Sequence, residues 1–201
     1  MGKERKFKVI KNIIIIVLIS TLAIVGLTYL VAPKPESNEQ KKEIALDIRY
    51  LPNQYKIIGD DKIYSKVEIF NKKENYIIVG NHESLAVLND LNTYIKTDKN
   101  IIVVANISSL PLVLKKFAIE PTLEKFVDGR DIKMVSDSSG EIIHSLAFTD
   151  QSPISYTLYK INKGGVIEKL FRGNVKAGAL DGKMSEEEKK EALSPIIQYL
   201  K

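Results

Sequence analysis

The residues best placed to do chemistry lie in the stretch IIVVANISSLPLVLKKF, which spans residues 101–117. Its apolar run, short turn and amphipathic run predict a strand, a tight turn and a helix. Many enzymes hold a nucleophile at the start of a helix in this way, and the turn offers Ser108 and Ser109 for that role. The chain of 201 residues contains no cysteine, which excludes disulfide bonds, thiol chemistry and thiolate metal sites.

A serine nucleophile at Ser109 would need a nearby base, and the only histidines in the chain are His82 and His144. No pattern in the sequence brings either histidine to the turn, and the Gly-x-Ser-x-Gly motif of a nucleophile elbow does not occur. We therefore expect no hydrolase and, more broadly, no enzyme.

The same scan gives no candidate for a metal or a cofactor. The two histidines and the scattered carboxylates match no metal-ligand spacing. The chain also lacks a glycine-rich loop that could cradle phosphate groups, so a nucleotide is not expected either.

The amino-terminal end predicts a membrane anchor. Residues 1–12 carry five basic side chains and one acidic one, and residues 13–32 form an uncharged apolar run. Twenty helical residues span roughly 30 Å, the thickness of a bilayer core, whereas the apolar core of a cleaved signal has only about 7–15 residues. We expect an uncleaved signal-anchor, with a cleaved secretory signal as the alternative.

The distribution of charge predicts the orientation of this anchor. Basic residues precede the span, which indicates a cytoplasmic stub at 1–12, a transmembrane helix at 13–32 and an extracytoplasmic remainder. Abundant lysine and isoleucine suggest a bacterium, so we expect a single pass through the inner (cytoplasmic) membrane with the carboxyl-terminal domain in the periplasm or its equivalent. The exported part retains 25 basic and 24 acidic residues, which gives no electrostatic case for nucleic acid.

The exported part divides into three regions. Residues 33–43 are polar with two prolines and predict a linker, and residues 44–75 predict an added hairpin that turns at residues 59–61. From residue 76 to residue 201, apolar strand runs alternate with helical patterns, and the order ends with a hairpin at residues 162–165 and a capped helix. We therefore expect an α/β domain of order β-α-β-α-β-(α)-β-β-α.

This order, with a parallel first half and an antiparallel closing hairpin, resembles the thioredoxin fold, in the manner of membrane-tethered thiol reductases and peroxiredoxins. The resemblance places the SSLPL turn where the family has Cys-Gly-Pro-Cys. Serine and leucine then replace both cysteines, which implies a redox-inactive domain with a degenerate active-site turn formed by Ser108, Ser109, Leu110, Pro111 and Leu112.

The family also has a cis-proline opposite the cysteine turn, and Pro153 lies 44 residues after Ser109. The resemblance implies that Ser152, Pro153 and Ile154 present a free backbone edge to an extended peptide, and that Gly173, placed after the last strand, borders the same groove. Taken singly, the serine turn is equally typical of a helix N-cap and Pro153 of an ordinary trans proline.

We therefore expect a mixed thioredoxin-like sheet flanked by helices, with an anchor and an added hairpin. The implied function is the binding of a protein or peptide near the membrane, as a chaperone or assembly factor. Two alternatives remain: a structural accessory subunit of an envelope complex, and an enzyme with non-thiol chemistry.

Overall fold

The computed structural model describes residues 46–72, 74–130 and 132–201. The expected cytoplasmic stub, transmembrane helix and linker lie outside the described residues. Among the helices that the structure does describe, none is both long enough and apolar enough to cross a membrane.

The first described segment adds two short strands and a hairpin to the domain. Strand β1 (Leu46–Asp47) leads into a 3-10 turn (Ile48–Tyr50), and β2 (Gln54–Lys56) pairs antiparallel with β3 (Ile63–Ser65) around the expected turn. Helix α1 (Lys66–Ile69) follows, and a capping box between Ser65 and Glu68 fixes its start.

The remaining elements alternate as the sequence predicts. The strands are β4 (Asn75–Gly80), β5 (Asn100–Asn106), β6 (Lys133–Asp137), β7 (Ser155–Ile161) and β8 (Val166–Asn174). The helices are α2 (His82–Leu88), α3 (Leu91–Tyr94), α4 (Leu112–Leu114), a π-helical turn (Lys115–Ile119), α5 (Glu120–Val127), α6 (Glu141–Ser145) and α7 (Glu186–Leu200).

The main sheet has the strand order β1-β8-β7-β4-β5-β6. Strands β4, β5 and β6 run parallel, and β7 runs antiparallel to both of its neighbours, β4 and β8. This combination of a parallel β-α-β half with a closing antiparallel hairpin is the thioredoxin-like arrangement predicted from the sequence. The chain is therefore a mixed α/β protein of thioredoxin-like fold that contains no cysteine.

Both faces of the sheet are covered, because residues along each central strand alternate between two apolar clusters. Ile78 and Val103 belong to the cluster beneath α2 and α7, and Ile77 and Val104 belong to the cluster that includes α6 and the segment from β1 to α1. All six residues of β4 are buried, which explains why it appears in the sequence as a continuous apolar run.

Candidate functional site

Polar side chains meet where the parallel strands β4 and β5 end. Asn81, directly after β4, donates from its amide nitrogen to the backbone carbonyls of Asp150 (2.9 Å) and Ser152 (2.8 Å) and to the Ser155 hydroxyl (3.0 Å). The amide of Asn106, at the end of β5, donates to the side-chain oxygen of Asn81 at 2.8 Å. We call Asn81, Asn106 and Ser155, with the loop at residues 150–152, the asparagine network.

The start of α2 lies directly against the loop that carries Pro153. The backbone N–H of Glu83 donates to the Pro153 carbonyl at 2.8 Å, and the N–H of Asn81 donates to the Ser155 carbonyl at 3.1 Å. Gly80 lets α2 pack closely on the end of β4, since a Cβ there would lie 2.6 Å from a side-chain atom of Leu88. The turn that faces Pro153 through hydrogen bonds is therefore Asn81–Ser84.

A cavity of about 290 Å³ opens beside this contact. Its apolar wall consists of Leu85, Ile107, Leu110, Ile119, Leu123, Phe126, Pro153 and Leu180. Its polar lining consists of Asn81, His82, Asn106, Ser109, Thr122 and Gln151. Asn81 and Asn106, two of these polar residues, are already joined to each other by a hydrogen bond.

The structure divides the predicted degenerate turn into two parts. Ser109 and Leu110 line the cavity together with Pro153. Ser108 is instead directed into the asparagine network, and its hydroxyl donates to the side-chain oxygen of Asn106 at 2.9 Å. Pro111 and Leu112 are solvent-exposed and lie outside the cavity lining.

The expected position of the turn relative to Pro153 is corrected by the sheet order. The turn at residues 108–112 follows β5, but β4 lies between β5 and β7, so β5 is not the neighbour of the strand that Pro153 precedes. The hydrogen bonds place Asn81–Ser84 opposite Pro153, and Ser109 meets the proline only across the cavity.

The expected cis-proline edge is corrected as well. All peptide bonds of the described residues are trans, including the one before Pro153. The carbonyl of Ser152 accepts from the N–H of Ser155, that of Pro153 accepts from Glu83, and that of Ile154 accepts from the N–H of Val175 at 2.9 Å. Because these acceptors are occupied within the domain, an extended peptide cannot add to this edge without breaking them.

Gly173 lies inside β8 and not after the last strand, which corrects its expected position. It pairs with Tyr156 across β7 and β8, and a Cβ at this position would lie 2.4 Å from ring atoms of that tyrosine. The glycine therefore makes room for a buried ring whose hydroxyl donates to the Ala192 carbonyl at 2.5 Å. It does not line the cavity.

One ion pair fixes the loop that the asparagine network holds. Arg172 on β8 contacts a carboxylate oxygen of Asp150 at 2.5 Å, and the other oxygen accepts from the backbone N–H of Ser152 at 3.0 Å. Partial burial alone would raise the pKa of Asp150, but hydrogen bonds from Ser152 and Ser155 and the charge of Arg172 outweigh it. The pKa of Asp150 therefore lies below its usual value.

Lysine 115 holds the turn after β5 in place. It lies in the π-helical turn, only 8% of its surface is exposed, and its ammonium group donates to the carbonyls of Ser108 (2.8 Å) and Ser138 (2.7 Å). These bonds join the turn that follows β5 to the turn that follows β6.

The two histidines lie at different places in the fold. His82 lines the same cavity as Ser109, and within the described residues no hydrogen bond joins the two. His144 lies on α6, which packs against β6. Within residues 46–72, 74–130 and 132–201, no group of histidine, aspartate and glutamate could hold a metal ion.

Sequence reasoning missed the residues at the end of β4. Asn81 and His82 follow the apolar run YIIVG directly, at the same place relative to their strand as Asn106 and Ile107 relative to β5. Side chains just beyond parallel strands gather at one edge of a sheet, and this could have drawn attention to both asparagines.

No protein-family model and no curated protein matches the chain. Among solved structures, it is similar to an uncharacterized conserved protein from Geobacillus kaustophilus, with 9% identity, a TM-score of 0.48, and coverage of 75% of this chain and 79% of that one. It is also similar to the pneumococcal exposed lipoprotein thioredoxin (Etrx1) from Streptococcus pneumoniae, with 15% identity, a TM-score of 0.40, and coverage of 73% and 99%. At these TM-scores the likenesses assign no function, and the thioredoxin-like fold rests on the strand order described above.

Proposed function

We propose that the chain is a membrane-anchored, extracytoplasmic binding protein whose thioredoxin-like domain accepts an apolar side chain of a protein partner in the cavity beside Pro153. Thiol–disulfide exchange is impossible in a chain without cysteine. The domain would act as a chaperone or assembly factor that holds its partner near the membrane. The amino-terminal apolar run and its basic flank support the anchor and its orientation.

The observation that carries the proposal is the composition of the cavity. Eight of its lining residues are apolar, and its two asparagines are engaged in the asparagine network. A volume of about 290 Å³ lies at the lower limit of sites for drug-sized ligands, which are usually about 300–1,000 Å³. The recess therefore suits one large apolar side chain, the kind of anchor that dominates many protein interfaces.

This mode of binding differs from the strand addition implied by the family resemblance. The carbonyls of residues 152–154 are already paired, so the backbone edge contributes little. An inserted side chain would need no rearrangement of those bonds, because it would contact the apolar wall. We therefore place the partner's side chain in the cavity and not at the Pro153 edge.

Photo-crosslinking in membranes of the native host tests the proposal. A photoreactive amino acid replaces the exposed residue Thr122 at the cavity, and a second variant carries it at the exposed Val166 on β8 as a control position. We expect a discrete protein adduct from the cavity position and none from the control. Adding Ser109→Phe, which places a ring at the cavity mouth, should abolish the adduct, and Ser139→Phe in the neighbouring exposed turn should not.

An adduct that persists unchanged with Ser109→Phe would contradict binding in the cavity. The anchor is tested separately by resistance of the full chain to carbonate extraction, and its orientation by a carboxyl-terminal reporter that is active only after export. Extraction into the carbonate supernatant would refute the anchor without bearing on the cavity.

A further inference from the structure

Four large apolar side chains face solvent in one short segment after the serine turn. The exposed fractions are 77% for Leu112, 67% for Val113, 50% for Leu114 and 75% for Phe117. We call these four residues the apolar tip. A contiguous exposed apolar surface on a water-soluble domain marks a site of contact with a protein or a membrane.

The apolar tip is held outwards by the fold. The ammonium of Lys115 is bound inside the domain by two loop carbonyls, and the N–H of Lys115 donates to the Pro111 carbonyl at 3.0 Å. The lysine is directed inwards, whereas the leucines, the valine and the phenylalanine around it are exposed. The exposure is therefore a consequence of specific contacts, and closure of the tip onto the core would break them.

The exposed charge within the tip segment itself is positive. Residues 108–119 contain two lysines and no aspartate or glutamate, and the first acidic residue after them is Glu120. With Lys115 turned inwards, Lys116 is the exposed cation beside the four apolar side chains. Apolar residues that enter the acyl region next to a lysine that reaches the headgroups are typical of segments bound at a bilayer surface.

The predicted anchor would keep the tip within reach of such a surface. The apolar run ends at Ala32 and the described domain begins at Leu46, so 13 residues join them. At about 3.3–3.6 Å per residue this tether extends at most about 45 Å. A domain of this length is roughly 40 Å across, so any face of it can reach the bilayer. A tethered contact can also be individually weak and still be occupied.

We propose that the apolar tip inserts into the surface of the bilayer that anchors the chain, with Lys116 at the level of anionic headgroups. This inference rests on the anchor of the proposed function, but not on the cavity or its partner. Insertion of the tip would restrict the domain to one orientation relative to the membrane.

The sequence offers a direct probe, because the chain contains no tryptophan. The Phe117→Trp variant of the full chain, incorporated into vesicles of phosphatidylethanolamine and phosphatidylglycerol, carries a single indole at the tip. We expect its emission to be shifted to the blue relative to that of the Tyr199→Trp variant in the same vesicles, and to be quenched by lipids with brominated acyl chains. Tyr199→Trp, at an exposed position on α7, is the matched control and should be quenched several-fold less.

Charge substitutions identify the cause of the quenching. Leu112→Asp combined with Leu114→Asp, added to the Phe117→Trp chain, should remove it, because carboxylates oppose entry into the acyl region. Both leucines are exposed, so the fold should survive, and an unchanged urea midpoint would verify this. Lys116→Glu should reduce the quenching in vesicles with phosphatidylglycerol and have less effect with phosphatidylcholine alone.

Flotation and quenching together distinguish insertion of the tip from anchoring of the chain. A chain that floats with the vesicles while its F117W indole is quenched no more than the Tyr199→Trp control overturns the insertion and leaves the anchor intact. A chain that does not float with vesicles overturns both. Emission that shifts only when membrane proteins are added would also overturn the insertion and assign the tip to a protein interface.

Discussion

Replacement of Asn81 by alanine should destabilise the domain more than its small size suggests. The side chain is 5% exposed and bonds to four groups of the asparagine network. Without it, the Asp150 carbonyl and the Asn106 amide lose the partners described above, whereas the Ser152 carbonyl still accepts from Ser155. Two buried groups without partners cost about 1–3 kcal/mol each.

Together the two groups would cost about 2–6 kcal/mol, and we expect the lower part of that range, about 2–4 kcal/mol, because water can enter from the adjoining cavity. For a domain of this size, about 2–4 °C of melting temperature is lost per kcal/mol, which gives roughly 5–15 °C. Urea unfolding followed by circular dichroism measures the loss. Asn174→Ala, at an exposed position at the end of β8, is the control and should change stability by no more than about 0.5 kcal/mol.

A loss for Asn81→Ala that equals the control would refute the reasoning, because the network would then not hold the Pro153 loop. The same variant also tests whether the network shapes the cavity. If the network shapes the cavity, the adduct from the crosslinking position should weaken in parallel with the loss of stability.

Three further perturbations test other contacts. Gly173→Ala should cost about 1–3 kcal/mol in urea unfolding, because the new Cβ would overlap a buried tyrosine ring, whereas Gly164→Ala, with open space around it, should not. Lys115→Met should cost about 2 kcal/mol or more, since two loop carbonyls lose a charged donor, and the exposed Lys116→Met should be near neutral. The pKa of Asp150 is lowered in the folded state, so the carboxylate stabilises the fold above its unfolded pKa of about 3.9. This stabilisation is lost as the pH falls through the folded pKa. In Asp150→Asn, the free energy of unfolding should therefore depend less on pH in this acidic range.

The order of the elements could be predicted because the centres of the core strands are apolar. Residues 76–79 and 102–105 are buried and appear in the sequence as continuous apolar runs. The capping box of α7 and the turn at residues 162–165 are equally local signals, and both occur where the sequence places them. Local chemistry fixes such features before any tertiary contact forms.

The lateral neighbours of the strands could not be predicted from local signals. A spacing of 44 residues matches Ser109 to Pro153, but the pairing of β7 with β4 brings the end of β4 to the proline instead. Strand β6 and its helix lie between the serine turn and Pro153 in the sequence, so distance along the chain does not report distance in the sheet.

The burial of side chains in the apolar tip is the reverse of what hydropathy predicts. In LVLKKF, hydropathy predicts that the leucines and the phenylalanine are buried and that both lysines are exposed. The structure buries Lys115 and exposes Leu112 and Phe117, because the two turns at the sheet edge present carbonyls that a lysine can reach. Only the three-dimensional position of those carbonyls explains the inversion.

The described part of β1 bears on how the domain would respond to mechanical load. Leu46 and Asp47 pair with Ile167 and Val166 of β8, and the N–H of Ile48 adds one bond to the Gly165 carbonyl. Tension applied at Leu46 would break these bonds one after another, until it met the ammonium of Lys66, which donates to the carbonyls of Ile48, Arg49 and Leu51. Under tension, the edge strand would thus separate first, while the central strands remain paired.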